Sequence, residues 1–217
     1  MDFELPFLTA VILGSLHAFE ADHLAAVTSF AVQKPTARQS VHFGFRWALG
    51  HGTAILLAGL LLIAVGMRIP DGATQLMERG VGLVLIALGA WTMIATRAMH
   101  AHEHNHQGSR HVHLHSHLVD GGHDHKHAPT IVGLMHGLAG AAPAVALVPL
   151  TMFDSPFSGI SYLLLFALGT AVSMSTYALF AGYVAGRATR VAAWLGRTVG
   201  QLTGVSTIII GIVWLIR

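Results

Sequence analysis

The sequence predicts an all-α polytopic membrane protein whose six transmembrane helices form two inverted three-helix repeats. The composition is 53% hydrophobic and only 10% charged, and the mean hydropathy is +0.63. A soluble domain carries about a quarter charged residues. Long apolar runs and motifs that recur between the two halves complete the case. These features place the chain in the membrane class.

Six apolar runs are long enough to cross a bilayer, which requires about 20 mostly apolar residues. They are 5–31, 45–67, 79–98, 130–151, 158–185 and 196–216. The first run lacks the positive flank of a cleaved signal peptide, so we expect it to remain as a helix. A polar tract separates the third and fourth runs. The predicted organisation is therefore a first repeat at 1–99, a flexible histidine-rich loop at 100–128 and a second repeat at 129–217.

The distribution of basic residues predicts the orientation, because Lys and Arg concentrate in cytoplasmic loops. One side of the predicted topology holds Lys34, Arg38, Arg46, Arg97, Arg110, Lys126, Arg187, Arg190 and Arg197, and the other holds Arg68, Arg79 and Arg217. We therefore expect both termini outside and the histidine-rich loop in the cytoplasm. The expected location is the inner membrane of a bacterium.

Two short motifs recur between the halves at one offset of 119 residues. The tetrapeptide from Gly14 to His17 resembles the tetrapeptide from Gly133 to His136. The tripeptide Ala-Leu-Gly ends at both Gly50 and Gly169. Three spans per repeat force the halves into opposite topology, as in many secondary transporters that bind substrate at the repeat interface. Apolar helices rich in Gly, Ala and Leu also resemble one another by chance. The shared offset favours a true repeat.

The first span contains four ionisable groups, His17, Glu20, Asp22 and His23. Each charge at the centre of a membrane helix costs about 2.5–3.5 kcal/mol on insertion scales. His17 lies roughly 18 Å into a hydrocarbon core of roughly 30 Å, near its middle. Imidazole with carboxylate suits Ni²⁺, Co²⁺ or Zn²⁺. The alternative is that these groups only hydrogen-bond one another and neighbouring helices.

The spacing of these groups is incompatible with one ion on a straight helix. At about 100° per residue, Asp22 is turned roughly 140° and His23 roughly 240° from His17. Either the helix is unwound between Gly14 and His23, or only some of the residues are ligands. Glu20 could be a ligand, the partner of a ligand or a proton acceptor.

Two histidines on other spans are further candidates. His51 lies between two glycines early in the second span, where backbones can approach closely, so we interpret it as a ligand or gate. His136, the counterpart of His17 in the second repeat, is an equally open candidate for a ligand or a packing residue.

His17, Asp22 and His23 spell H-x4-D-H, which resembles the signature of the nickel/cobalt transporter family. The segment from Arg46 to Thr53, with Leu-Gly-His at its centre, resembles that family's second motif. The resemblance implies a permease with Ni²⁺ or Co²⁺ as transported substrate, no organic cofactor, and ligands at His17, Asp22, His23 and His51. Family importers generally have eight spans, so six spans with a histidine-rich loop look more like the efflux branch. Import and export both stay open.

The tract 100–127 holds eleven of the chain's sixteen histidines, mostly at alternate positions. Neutral imidazoles at this density bind Ni²⁺, Co²⁺, Zn²⁺ or Cu²⁺ with little selectivity. The tract has almost nothing apolar to bury, so we expect it to be flexible. It could gather ions for export, buffer arriving ions or sense metal load. The plain alternative is a dispensable polar linker.

Several other functions are less compatible with the sequence. A dithiol electron carrier needs cysteine, and the chain has none. An intramembrane metalloenzyme could use Glu20 to activate a metal-bound water, but none of the six apolar runs contains an H-E-x-x-H pattern, so we do not expect an enzyme. A membrane sensor or accessory protein for urease or hydrogenase maturation would bind metal without moving it. The expected partners are metal ions and the bilayer, with a cytoplasmic metallochaperone or a second copy also compatible. Nucleic acid is not expected, because the basic residues are spread along the chain.

Overall fold

The computed structural model describes residues 4–33, 36–65, 71–97, 100–106, 109–115, 128–139, 153 and 155–217. Within these residues the chain forms seven helices and one two-stranded sheet. The helices are α1 (Glu4–His17), α2 (Ala21–Gln33), α3 (Ala37–Val65), α4 (Asp71–Arg97), α5 (Ala128–Ala139), α6 (Pro156–Val191) and α7 (Ala193–Ile216), and the strands are β1 (His100–His106) and β2 (Ser109–His115).

The run 5–31, which we predicted as one span, is two helices with a break between His17 and Ala21. The amide of Glu20 donates to the carbonyl of His17 at 3.1 Å, which closes a tight last turn of α1. The amide of Leu24 then donates to the carbonyl of Glu20 at 3.0 Å, so Glu20 occupies the N-cap position immediately before α2. The single continuous span is therefore wrong, and the unwound alternative is correct. No proline or glycine lies at the break, so the pattern of apolar residues could not locate it.

The other apolar runs correspond to helices with different bounds. α3 begins at Ala37 and α4 at Asp71, each eight residues before the predicted run, because charged residues continue the helix beyond the apolar segment. α6 and α7 also begin two or three residues early. α5 ends at Ala139, and the remaining part of the run 130–151 lies outside the described residues.

Within the part of the chain that the structure describes, three helical segments are long and apolar enough to cross a membrane by length and composition, namely Gln75–Arg97, Pro156–Val191 and Trp194–Ile216. α6 has 36 residues, so it is about 54 Å long and exceeds a hydrocarbon core of about 30 Å. Large apolar side chains such as Leu168, Phe180 and Leu202 are exposed on these helices. A lipid environment accounts for such surfaces. The chain is a polytopic helical membrane protein.

The histidine-rich tract contains a hairpin that we did not predict. β1 and β2 are antiparallel, with His100 opposite His115 and His104 opposite His111. Histidines at alternate positions follow the two-residue period of a strand, so the signal was present in the sequence. The tract from 116 to 127 lies outside the described residues, and Ala128, the last residue of the predicted loop, is the first residue of α5.

Glycines bring the helices of the two halves into backbone contact. A Cβ at Gly14 on α1 would overlap the carbonyl oxygen of Phe166 on α6, and a Cβ at Gly133 on α5 would overlap that of Trp47 on α3. Adding 119 to Gly14 gives Gly133, and adding 119 to Trp47 gives Phe166. In the first contact the first half supplies the glycine and the second half supplies the carbonyl. In the second contact the corresponding positions exchange these roles.

A second pair of contacts follows the same rule. A Cβ at Gly50 would overlap the carbonyl oxygen of Thr130, and a Cβ at Gly169 would overlap that of Val11. These positions are again related by 119 residues. α4 and α7 also meet at glycines, where a Cβ at Gly82 would lie 2.6 Å from the carbonyl oxygen of Gly211. Close packing at small residues is how helices associate in membranes.

Candidate metal centre

The break between α1 and α2 brings the ionisable groups of the first span to one place. His17 ends α1, Glu20 lies in the break, and Asp22 and His23 occupy the first turn of α2. α3 and α5 add one histidine each, and the six residues of this polar cluster are His17, Glu20, Asp22, His23, His51 and His136. All are buried except Glu20, whose side chain is 37% exposed.

Three of these imidazoles direct the same atom to a common point. The Nε2 atom of His51 lies 3.3 Å from Nε2 of His17 and 3.5 Å from Nε2 of His23. With metal–nitrogen bonds of about 2.1 Å, two ligand nitrogens lie about 3.4 Å apart in a tetrahedral site and about 3.0 Å apart in an octahedral one. The ligand atoms are therefore close to the spacing that a divalent ion requires.

Carboxylates hold two of these rings from the opposite edge. Nδ1 of His17 lies 2.8 Å from Oε1 of Glu20, and Nδ1 of His23 lies 2.9 Å from Oδ1 of Asp22. An ionised carboxylate only accepts hydrogen bonds, so each Nδ1 carries the proton and donates it. The Nε2 lone pairs of His17 and His23 are then free to bind a cation. This carboxylate–histidine arrangement is typical of metal ligands.

His51 completes the group in a different way. Its Nδ1 atom has no hydrogen-bond partner among the described residues. Since His17 and His23 both offer Nε2 lone pairs, the Nε2 atom of His51 must carry the hydrogen that they share. A cation bound at this point would require the other tautomer of His51, in which Nδ1 carries the hydrogen and the Nε2 lone pair is free.

Asp22 is the centre of a second, fully bonded group. Its Oδ1 accepts the backbone amide and Nδ1 of His23, each at 2.9 Å, and its Oδ2 accepts Nε2 of His136 at 3.1 Å. Both facing nitrogens therefore carry hydrogens rather than free lone pairs. The oxygen and nitrogen atoms of these three residues also lie within 4.8 Å of one another. Their bonding describes a positioning network, whereas two of the three converging Nε2 atoms, those of His17 and His23, have lone pairs available.

We did not predict Trp47 as a neighbour of the polar cluster from the sequence. The Trp47 indole is fully buried and stacks on the His51 ring, with centroids 5.0 Å apart and an interplanar angle of 8°. We had considered Trp47 only as part of a motif. Its position four residues before His51 on one helix is the signal that could have identified it, since such residues are neighbours on the helix surface.

The structure brings together all six residues that we predicted for the site. The helix break removes the angular conflict, because His17 and His23 belong to different helices and their ring centroids lie only 4.4 Å apart. His136 reaches the same place from α5 and bonds Asp22. The imidazoles of the histidine-rich loop lie outside the described side chains, so metal binding by that loop stays a prediction.

The fold and the cluster define a polytopic membrane protein with a buried histidine–carboxylate centre. The chain belongs to the family described as the cytochrome c biogenesis protein transmembrane region, which matches residues 7–213. The resemblance to the nickel/cobalt transporter family is confirmed by two relatives. No solved structure matches the chain.

The first of these relatives is the urease accessory protein UreH of Bacillus sp. (strain TB-90), 26% identical over 79% of this chain and 73% of its own length. The second is a protein named for nickel/cobalt efflux in Methanocaldococcus jannaschii, 28% identical over 79% of this chain and 73% of its own. A chloroplast protein FOR GROWTH AND FERTILITY 2 of Arabidopsis thaliana is 29% identical over 80% of this chain, which spans about half of that protein. The names of the first two concern urease accessory function and nickel/cobalt efflux.

Proposed function

We propose that this protein moves Ni²⁺ or Co²⁺ across a membrane through a site whose ligands are His17, His23 and His51. The observation that carries the proposal is the convergence of three Nε2 atoms, two of them 3.3 Å and 3.5 Å from the third, inside a sealed core. Imidazole ligands suit divalent transition metals of this kind. The relatives named for nickel/cobalt efflux and for urease accessory function support the choice of metal.

In this proposal the two carboxylates orient ligands instead of binding the ion. Glu20 holds His17 and Asp22 holds His23, each through Nδ1, and His136 holds Asp22. The sequence resemblance implied Asp22 as a ligand. We assign it the orienting role because both of its oxygens already accept hydrogen bonds from ring nitrogens. Such partners affect metal affinity by about 10- to 100-fold.

We further propose six spans in two inverted repeats, with α1 and α2 together forming the first. The glycine contacts related by 119 residues support this arrangement, because exchanged roles at corresponding positions are what a two-fold axis between inverted repeats produces. Rocking of the halves about these contacts would expose the site to each side in turn. The basic residues favour both termini outside and the histidine-rich loop in the cytoplasm, in the inner membrane of a bacterium.

The test is flux of Ni²⁺ and Co²⁺ into sealed proteoliposomes of known orientation. We expect His17→Ala to abolish flux and deletion of 100–127 to leave most of it. His42→Ala is the matched control, because His42 is an exposed histidine on α3 away from the cluster. Equal flux in His17→Ala and wild type would refute the site, and the faster direction would distinguish import from export.

A metal-sensing or accessory role is the second candidate, favoured by the relative named as a urease accessory protein. Such a protein would bind metal at the same site without moving it. Wild-type protein that binds Ni²⁺ but gives no flux, across pH gradients of both signs, would establish this role and exclude transport.

An intramembrane enzyme is less compatible with the cluster. Glu20 bonds the Nδ1 edge of His17, while the metal-facing atom is Nε2 on the opposite edge. The carboxylate is therefore not placed to activate a water on the ion. The relatives' names are those of accessory and transport proteins.

A further inference from the structure

One residue of the cluster connects the sealed site to the outside. The side chain of Glu20 is 37% exposed, whereas that of His17, to which it is bonded, is 2% exposed. The other cluster residues are buried as completely as His17. Glu20 is therefore the residue of the polar cluster that a hydrated ion can contact first.

Glu20 faces a cavity of about 470 Å³ between the helix break and the last turns of α7. The cavity is lined by Glu20, Ala21, Ile209, Ile210, Val213, Trp214 and Arg217. Six waters occupy about 180 Å³ at their share of liquid volume, so a divalent ion with a full first hydration shell fits the space. Five of the seven lining residues are apolar, which leaves one carboxylate and one guanidinium to set the electrostatics.

The two charged groups of the cavity are not paired with each other. The guanidinium of Arg217 lies over the Trp214 ring, 5.7 Å from its centroid, and no ion pair between Arg217 and Glu20 occurs in the described structure. One carboxylate oxygen of Glu20 accepts the hydrogen bond from His17, and the other has no hydrogen-bond partner among the described residues. The carboxylate thus attracts a cation into the cavity, and the nearby guanidinium opposes it.

We propose that this cavity is the vestibule through which the divalent ion reaches or leaves the buried site, with Glu20 as the receiving carboxylate and Arg217 as the electrostatic barrier. The inference rests on the function proposed above and adds the access route. The imidazole of His17 lies between Glu20 and His51, since its Nδ1 contacts Glu20 and its Nε2 contacts Nε2 of His51. Rotation of this ring is therefore the step that admits the ion, and the described conformation is closed.

The chain carries a fluorescent reporter at each end of this route. Trp214 lines the vestibule, and Trp47 stacks on His51 at the site. We would retain one of them at a time by replacing the other tryptophans with Phe, and mix the full-length protein rapidly with Co²⁺, a paramagnetic quencher. We expect quenching of Trp214 to precede quenching of Trp47. His17→Ala should abolish the Trp47 phase and preserve the Trp214 phase.

Two substitutions test the charges of the vestibule. Glu20→Gln retains an oxygen that accepts the His17 hydrogen bond but removes the charge, and we expect the Trp47 phase to slow about tenfold at low salt. Arg217→Glu should accelerate that phase about three-fold or more. Both effects should shrink at 1 M salt, where the Debye length falls to about 3 Å. A purely structural effect of either substitution would not depend on salt.

Glu78→Gln and Arg79→Gln are the matched controls, since they remove the same charges from α4 outside the cavity, and neither should change the Trp47 phase. A Trp47 phase that is indifferent to both Glu20→Gln and Arg217→Glu would overturn the vestibule and leave the metal site intact. If Co²⁺ did not quench Trp47 in the protein that retains this tryptophan and is otherwise unchanged, the metal site itself would be overturned.

Discussion

The two halves of the chain share one packing scheme but differ in chemistry. The backbone contacts of Gly14 and Gly50 recur at Gly133 and Gly169 with the partners exchanged. The polar cluster does not recur in this way. An offset of 119 residues places His136 opposite His17, but Ala141, Ala142 and Thr170 opposite Asp22, His23 and His51. The close helix packing is therefore common to both halves, whereas the proposed ligands, His17, His23 and His51, occur only in the first half.

The largest expected effect would test whether the shared packing is equivalent in both halves. Gly14→Ala and Gly133→Ala each place a Cβ against a backbone carbonyl that cannot move independently. We expect each to destabilise the protein by at least about 3 kcal/mol, the upper range for overpacking. Thermal unfolding in detergent measures the loss. A severe effect of only one substitution would contradict the equivalence.

Gly72→Ala is the control for these glycine substitutions. A Cβ at Gly72 on α4 meets nothing within 4 Å, so the change should stabilise the helix by up to about 1 kcal/mol. A comparable loss of stability at Gly72 would show that the effect belongs to glycine removal in general.

The next effect separates His23 from His136, which meet at Asp22 but have different roles in our proposal. His23→Ala removes a ligand, and we expect Co²⁺ affinity to fall at least about 100-fold, above the range for orienting partners. His136→Ala removes only a donor to Asp22 and should cost about tenfold. Quenching of Trp47 at equilibrium reports this site separately from the histidine-rich loop. Equal losses in the two variants would make His136 a ligand as well.

A smaller effect is expected at Asp22, the carboxylate that the second half lacks. Asp22→Asn keeps one oxygen for the His23 ring but turns the other acceptor into a donor toward His136. We expect Co²⁺ affinity to fall about tenfold, as for an orienting partner. Glu78→Gln, which removes a carboxylate from α4, should leave the affinity unchanged. A complete loss of binding in Asp22→Asn would mean that the carboxylate binds the ion directly.

The smallest effect concerns Thr170, the counterpart of His51. Its hydroxyl donates to the carbonyls of Gly14 and Phe166, each at 3.0 Å, and the bond to Gly14 connects the two halves. Thr170→Val should cost about 0.6 kcal/mol of stability, the average for such bonds in membranes, and leave Co²⁺ affinity unchanged. Altered affinity with unchanged unfolding temperature would show that Thr170 belongs to the site.

The composition and the residue patterns were sufficient for much of this description. The shortage of charge and the apolar runs predicted a helical membrane protein. Four ionisable groups in one apolar run predicted a site, because their insertion cost requires compensation. The offset of 119 residues located His136 before any contact was known. These inferences rest on local composition and spacing, which a sequence contains directly.

The helix break illustrates what local patterns could not determine. Ala18, Phe19 and Glu20 are compatible with a continuous helix, and nothing in their intrinsic preferences ends α1 at His17. In the structure Glu20 bonds His17, and two other helices bring His51 and His136 against the same turn. The break depends on groups that are distant in sequence, so only tertiary contacts specify it.

The sequence by itself determined the class of the protein, the residues of the polar cluster and the spacing of the two halves. The tertiary structure decided which ring nitrogens converge. It also decided that Glu20 and Asp22 accept hydrogen bonds from Nδ1 of His17 and His23, and that Glu20 faces a cavity. The physical reason is that composition fixes the cost of burying a polar group, whereas the direction of its hydrogen bonds depends on helices that meet only in the folded chain.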